Sequence, residues 1–246
     1  MAREKRVLAI DIGNTVRKLG LFHSDNLETT IIVNENEWSK EVVDNIVNKF
    51  NPDTIIFSST SDLEESDFTW IRRYGAWEVK STLNFPFSIH YTTPQTLGQD
   101  RLAAVSAVFA LYNGKSVLVI DAGTCITYDF ITAGGDYIGG NITPGLYMRL
   151  KAMHQFTDRL PLVEYTDELS LLGNSTKSAL QNGGIRMAIM EAEAFIRELE
   201  VKYGELKVIL TGGDHKIFAK YLKTKIFAHP DLILFGLNEI SKYNEY

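Results

Sequence analysis

Two stretches of this chain, Val7-Leu8-Ala9-Ile10-Asp11-Ile12-Gly13 and Val117-Leu118-Val119-Ile120-Asp121-Ala122-Gly123, agree at five of seven positions. Each is a short apolar run that ends in an acid and a glycine, and each leads into a second β-rich stretch. Such a run reads as a buried strand that carries a carboxylate to the mouth of a sheet and then turns sharply through a residue with no Cβ. One copy in each half predicts two similar lobes facing each other across a cleft, with a polyphosphate gripped from both sides.

At 246 residues the chain suits one large domain or two small ones. The repeat favours two, with residues 1–113 as the first lobe and 114–246 as the second. Hydrophobic residues make up 45% and charged residues 23%, enough for a sizeable core. No apolar stretch approaches the roughly 20 residues that span a bilayer. Val7 to Ile12 is too short for a signal-peptide core and holds an acid near its end, so the expectation is a cytoplasmic protein with no membrane partner. A net charge of −6 without a Lys/Arg cluster argues against nucleic acid as a partner. A mildly acidic chain that handles phosphates needs their charge offset, and a divalent metal carried in with a nucleotide does this. The single cysteine, Cys125, excludes an internal disulfide, and its apolar strand context predicts a packed, inert thiol.

Strands are expected at Arg6 to Ile12, Val16 to His23 and Leu27 to Val33, with Ser24-Asp25-Asn26 as a turn. Helical spacing follows from Trp38 to Phe50 and stops at Asn51-Pro52. A buried strand at Thr54 to Ser58 and a helix at Leu63 to Arg73 come next, and Ala76 to Leu97 is ambiguous. Leu102 to Tyr112 is an alanine-rich apolar helix that crosses to the second lobe. The second lobe repeats the order with strands at Ser116 to Ile120, Thr124 to Ile131 and Tyr137 to Ile142, and Gly134-Gly135-Asp136 as a hairpin turn. Helices over Gly145 to Gln155 and Ser178 to Tyr203, a strand at Lys207 to Leu210 and a brief strand at Lys225 to Ala228 complete it. Three strands followed by alternating helices and strands, twice over, is a mixed α/β architecture.

In Asp11-Ile12-Gly13-Asn14-Thr15 an acid, a tight turn, an amide and a hydroxyl fall within five residues. Turn N–H groups, Asn14 and Thr15 suit phosphate oxygens, and Asp11 suits a metal or its waters; a polar turn capped by Asp and Asn has the same composition. Thr211-Gly212-Gly213-Asp214 follows a strand and precedes a helix, where a flat base or ribose can lie on the backbone. No Gly-x-x-x-x-Gly-Lys-Ser/Thr run exists, which excludes a P-loop. The five histidines lack paired ligand spacing, so a zinc site is not expected. Asp62, Glu64, Glu65 and Asp67 read as a solvated helix face, and Trp38, Trp70 and Trp77 as core.

These elements in this order resemble the superfamily of acetate and sugar kinases, actin and the large heat-shock ATPases. The fold so implied is α/β, two ribonuclease H-like lobes of mixed sheet plus helices, as in the actin-like ATPase superfamily. More closely, the chain is similar to the type III pantothenate kinase family. Gly98-Gln99-Asp100-Arg101 looks like that family's Gly-Ala-Asp-Arg, Tyr91 lies where the family has a substrate-contacting tyrosine, Gly139-Gly140-Asn141-Ile142-Thr143-Pro144-Gly145 matches Gly-Gly-x-Ile-x-Pro-Gly, and Gly173-Asn174-Ser175-Thr176 matches its substrate-side threonine motif. Gln99 in place of alanine is the clearest departure and bears on loop packing.

The resemblance implies ATP-dependent phosphorylation of pantothenate, the first step toward coenzyme A. Asp100 would accept the hydroxyl proton; its alternative is a helix N-cap. Arg101 close by would lower its pKa and keep it ionised. Asp11, Ile12, Gly13, Asn14, Thr15, Val16, Arg17, Lys18, Thr124, Gly212 and Gly213 would hold the nucleotide, with Mg²⁺ at Asp11. Tyr91, Gly98, Gln99, Asp100, Arg101 and Thr176 would bind pantothenate, and Thr176 would act near a homodimer interface, or simply cap the following helix. Asp121 would hold a monovalent cation, K⁺ or NH₄⁺. A nucleotide-sensing regulator of the same fold, and a kinase for another small hydroxylated acid, remain alternatives.

Overall fold

The computed structural model describes residues 5–61 and 65–244, the side chains of 65–68 excepted, so the acidic run at 62–67 lies outside the described side chains. The chain divides into two compact units, one of Met1–Asn113, Gly135–Ile138 and Asp231–Tyr246, the other of Gly114–Gly134 and Gly139–Pro230.

In the first unit β1 (Arg6–Ile12) pairs antiparallel with β2 (Val16–His23), and β2 with β3 (Asn26–Asn34). Four consecutive buried residues, Val7 to Ile10, mark β1 as a central strand. α1 (Lys40–Phe50) starts at Ser39, whose hydroxyl accepts from Val42 N, and ends at Asn51 in the left-handed region (φ 48°) before Pro52. It buries Val43 and Val47 against the sheet, alongside the Trp38–Trp70 pair, whose rings are tilted by 46° with centroids 5.5 Å apart. β4 (Thr54–Ser59) runs parallel to β1, and after α2 (Glu65–Arg72) the two-residue β5 (Trp77–Glu78) runs parallel to β4. The sheet order is β3-β2-β1-β4-β5. Another two-residue strand, β6 (Ser88–Ile89), pairs with Asp136 and Tyr137. α3 (Gln99–Leu111) then buries residues on every face, Leu102 to Val108 without a break.

In the second unit β7 (Val117–Ala122) pairs antiparallel with β8 (Cys125–Ile131), followed by β9 (Asp136–Pro144) and α4 (Leu146–Gln155). The single long helix expected from Ser178 is three pieces: α5 (Thr176–Gln181), a π-helical turn over Asn182–Arg186, and α6 (Met187–Tyr203). The turn sits where Gly184 lets the helix lie directly on Leu150 of α4. β10 (Lys207–Thr211), α7 (His215–Tyr221) and β11 (Ile226–Ala228) follow, with β10 parallel to β7 and β11. The order β11-β10-β7-β8-β9 repeats that of the first sheet, strand for strand.

The last helix, α8 (Leu232–Tyr243), returns to the first unit, where it packs on α3 and β1. A single division at 113/114 therefore differs from the observed one at residues 135–138 and 231–246. The physical reason is that α3 is buried continuously from Arg101 to Val108, and α8 packs against both it and the strands of the first sheet. α8 comes close enough only because residue 236 is glycine: a Cβ there would lie 1.8 Å from the Ala103 carbonyl oxygen. Gly236→Ala is expected to cost at least about 1–3 kcal/mol through overpacking, whereas Gly183→Ala, with open space around it, should leave the melting temperature unchanged or slightly higher. Thermal melts of the two variants check this.

Candidate active site

Asp11 stands next to last in β1, opposite Lys18 of β2, while Ile12 stands opposite Arg17. Side chains alternate across a sheet, so Asp11 and Lys18 share one face and Ile12 and Arg17 the other. The second face carries the apolar cluster that includes Ile12 and Leu19. Arg17 is accordingly buried, 2% exposed, and its guanidinium approaches Glu35 at 3.9 Å. Within the run Asp11 to Lys18 the side chain of Arg17 thus lies across the sheet from the Asp11 carboxylate. The turn between the strands closes with Gly13 N donating to Val16 O at 3.1 Å, which leaves Asn14 and Thr15 exposed at the sheet mouth.

Asp11 is seated by Ser58, whose hydroxyl donates to Oδ1 at 3.0 Å. Burial, followed by the charge of Asp100, pushes the Asp11 carboxyl up to about 6, against smaller pulls from Ser58 and Lys18. Two acids of the first unit thus feel each other although they are far apart in sequence. A divalent ion delivered with phosphates fits this pair, because it relieves both the desolvation and the repulsion. Among the described residues no three His, Cys, Asp or Glu side chains are grouped as a metal cage.

Asp100 occupies the second position of α3. The N-cap is Gly98, not Asp100, and the Asp100 Oδ1 folds back over it, 2.5 Å from where a Cβ at 98 would stand. The same oxygen accepts from Arg101 N at 2.8 Å. Burial raises the Asp100 carboxyl above the ordinary range, and the N–H and charge of Arg101 only partly offset it. The expected lowering by Arg101 is thereby reversed: desolvation is the larger effect. Arg101 is 4% exposed, and its guanidinium carbon lies 5.7 Å from the Tyr91 ring centroid, a cation–π contact that brings two of the expected substrate residues together. The Gln99 amide is turned to the sheet, accepting from Ser59 N at 2.8 Å and donating to Glu78 at 3.0 Å.

In the second unit Asp121, Thr124, Gly212 and Gly213 come together. Gly212 has φ +87°, and a Cβ there would fall 2.4 Å from both Asp121 Oδ1 and Ala122 O. Only glycine allows this approach. Asp214 N donates to Ala122 O at 2.9 Å, tying the two turns to each other. Gly145 N donates to Thr124 O at 3.1 Å, so the Gly-rich segment from 139 packs on the same turn. Clustered carboxylate and carbonyl oxygens of this kind fit a hard monovalent cation. A cavity of about 380 Å³ beside them is lined by Tyr165, Asp167, Gly213, Asp214, Lys216 and Lys220. Burial, then the charges of Asp214 and Asp167, push the Tyr165 phenol up to about 12. Nothing in the spacing pointed to Tyr165 or Lys220, which lie in an irregular segment and in the last turn of α7.

Two further expectations change. Cys125 is exposed rather than packed, with its Sγ 3.9 Å from Met148 Sδ, because it opens β8 at the end of the sheet. Ser175, not Thr176, caps α5, accepting from Ser178 N while the Ser178 hydroxyl receives the N–H groups of Asn174 and Ser175; Thr176 is the exposed residue after it.

The same lobe topology occurs in solved structures. A Campylobacter jejuni protein assigned to the Baf family of transcriptional activators superposes with a TM-score of 0.63 at 22% identity, covering 96% of this chain and 98% of that one. A glucokinase from an Antarctic psychrotroph gives 0.51 at 12% identity, covering 96% and 98%. The fold is that of the sugar kinases and actin-like ATPases. The profile of the family described as type III pantothenate kinase matches residues 7–198. Curated type III pantothenate kinases of Bacteroides fragilis (strain YCH46) and Phocaeicola vulgatus are each 42% identical over 240 residues, covering 96% and 97% of this chain and 98% of their own. The chain belongs to the type III pantothenate kinase family.

The raised Asp11 carboxyl has a measurable consequence. The folded chain holds this proton to about pH 6, whereas an ordinary aspartate loses it near 3.8. Ionisation therefore costs the folded state nothing below about pH 4, progressively more up to about 6, and about 3 kcal/mol above that. Asp11→Asn, which keeps an acceptor for Ser58, is expected to be more stable than the parent at pH 7.5 in the absence of nucleotide, with the difference vanishing toward pH 4. Urea melts at both pH values test this.

Proposed function

We infer that this chain is an ATP-dependent kinase that phosphorylates the primary hydroxyl of pantothenate to 4'-phosphopantothenate, in coenzyme A biosynthesis. The observation that carries the reading is the Asp100 carboxylate: buried, raised in pKa and set at a helix start beside Arg101, within the segment matched by the family profile.

Phosphoryl transfer asks a protein to align the acceptor with the γ-phosphate and to stabilise the charge spread over its oxygens. Asp100 accepts the hydroxyl proton as the oxygen bonds to the γ-phosphorus and the bond from that phosphorus to the ADP oxygen breaks, releasing ADP; its raised pKa makes it a better acceptor than an ordinary aspartate. Arg101 and Tyr91 hold the pantothenate carboxylate end in place. In the first unit the Gly13 turn, Asn14, Thr15 and Lys18 would hold phosphate oxygens; in the second, Thr124, Gly212 and Gly213 would contact nucleotide, with the Tyr165 cavity beside them. Asp11 would hold Mg²⁺ carried in with ATP, and the ion would neutralise phosphate charge there. Asp121 in the second unit would hold K⁺ or NH₄⁺. The substrates belong to the cytoplasm, and among the described residues no helix is long and apolar enough to cross a membrane.

The working form is a homodimer. α4 and α6 are joined by the Arg149–Glu191 ion pair at 3.0 Å, and both expose apolar side chains, Tyr147, Met148, Met187 and Met190. A second copy covers this surface and brings a substrate site near Thr176.

ADP release measured across a panel of hydroxylated acids, with and without potassium, tests the reading. Release is expected with pantothenate, dependent on Mg²⁺ and raised by potassium. Asp100→Asn should fold and lose about 10²–10⁴-fold in kcat. Undiminished turnover in that variant would remove Asp100 as the base, and activity only toward another acceptor would change the substrate while leaving the kinase.

A further inference from the structure

Gln99 departs from the family motif, and its side chain does something an alanine cannot. Thr60 N donates to Ile12 O at 3.1 Å, so in an extended strand the preceding N–H, that of Ser59, points to the opposite edge of β4, the edge shared with β5. There Val79 N donates to Phe57 O at 2.9 Å, and the register between β4 and β5 covers only Ile56 with Trp77 and Phe57 with Glu78. Beyond Phe57 the ladder has no further strand residue to offer Ser59. The Gln99 amide takes that place, accepting from Ser59 N at 2.8 Å and donating to Glu78 Oε1 at 3.0 Å. The other oxygen of Glu78 is held by Arg72 Nη2 at 3.1 Å and approached by Lys80 Nζ at 3.3 Å, so the anchor is itself fixed.

One residue earlier on the same strand, the Ser58 hydroxyl holds Asp11 at 3.0 Å. One residue later on the helix stands Asp100. Consecutive positions of β4 therefore hold Asp11 directly and Gln99, the residue next to Asp100.

We propose that Gln99 is a positioning residue for Asp100: its side-chain amide extends the β4–β5 ladder onto the first residue of α3 and so fixes the Asp100 carboxylate relative to Asp11. This rests on the reading of Asp100 as the base. The Gln99 side chain is engaged by Ser59 N and Glu78, so it acts on Asp100 through the helix start. Misplacement of a reacting group by about 1 Å costs on the order of 10²-fold in rate, which sets the scale of the effect.

Gln99→Ala in the full chain is expected to lower kcat by roughly 10- to 100-fold, to leave KM for ATP within about twofold and to shift the acid limb of the pH–kcat profile. Gln99→Glu should be worse at neutral pH, because it sets a second carboxylate against Glu78 and removes the donor. The double variant Gln99→Glu/Glu78→Gln restores an acceptor for Ser59 and a donor–acceptor pair with the roles exchanged, and is expected to recover most of the lost kcat. That recovery is the reading that separates positioning from loosened packing, and it holds even if Gln99→Ala alone folds poorly. Wild-type kcat and pH profile in folded Gln99→Ala, beside an inactive Asp100→Asn, would overturn the proposal and keep the base. Failure of the double variant to recover kcat while its melting temperature returns to that of the parent would also overturn it. An active Asp100→Asn would remove the base itself, and the role of Gln99 with it.

Discussion

The first unit is organised around an electrostatic cost. Asp11 sits where burial and the charge of Asp100 both oppose its ionisation, and a chain does not place two acids in this way unless something holds them there. What holds them is β4, buried from Ile55 to Ser58 between β1 and β5. One of its side chains seats Asp11, and the N–H of the next residue seats the start of α3. The strand is rigid because both edges are paired and its apolar residues belong to the core of the unit. Stability from apolar burial elsewhere offsets a local strain that a phosphate-bound cation would relieve.

The duplicated topology gives the second unit the same device with different contents. β7 ends in Asp121 as β1 ends in Asp11, but its turn is a residue shorter: Gly123 N returns to Cys125 O, where Gly13 N returns to Val16 O. The shorter turn leaves room for neighbours that the first unit lacks. Gly212 lies against the Asp121 carboxylate, and Gly145 bonds to Thr124. The first turn exposes the Asn14 and Thr15 side chains at its tip; the second is packed against the backbone of Gly145 and Gly212. Repetition set the scaffold, and loop length set the chemistry.

How much of this was legible depended on the range of the forces involved. β1 and β2 have the expected bounds, because an apolar run and a strict alternation are local signals. The region from Ala76 to Leu97 was ambiguous because its strands, β5 and β6, are two residues each and exist only through partners far along the chain. Cys125 followed a strand pattern correctly but stands at the strand's first residue, where an inward alternation has no layer to enter. The cap of α5 passed from Thr176 to Ser175 because Ser178 reciprocates with 175, a three-residue relation visible in the sequence as Ser-x-x-Ser. The return of α8 to the first unit had no local signal; it follows from an α3 buried continuously from Arg101 to Val108 and from a glycine at 236.

The protonation of Asp100 shows why adjacency in sequence misleads about electrostatics. A neighbouring arginine lowers an aspartate's pKa when the two share solvent and the charge interaction is the main difference from water. At the start of α3 both residues are withdrawn into the protein, Arg101 almost completely, and the guanidinium faces the Tyr91 ring while the carboxylate folds back over Gly98. The acid thus loses more hydration than the arginine returns in attraction, and its pKa rises. For the proton acceptor proposed at this position the rise is the useful direction, because a stronger base shares the proton further along the reaction. Burial, rather than charge pairing, thereby gives two adjacent residues separate tasks at a single helix start.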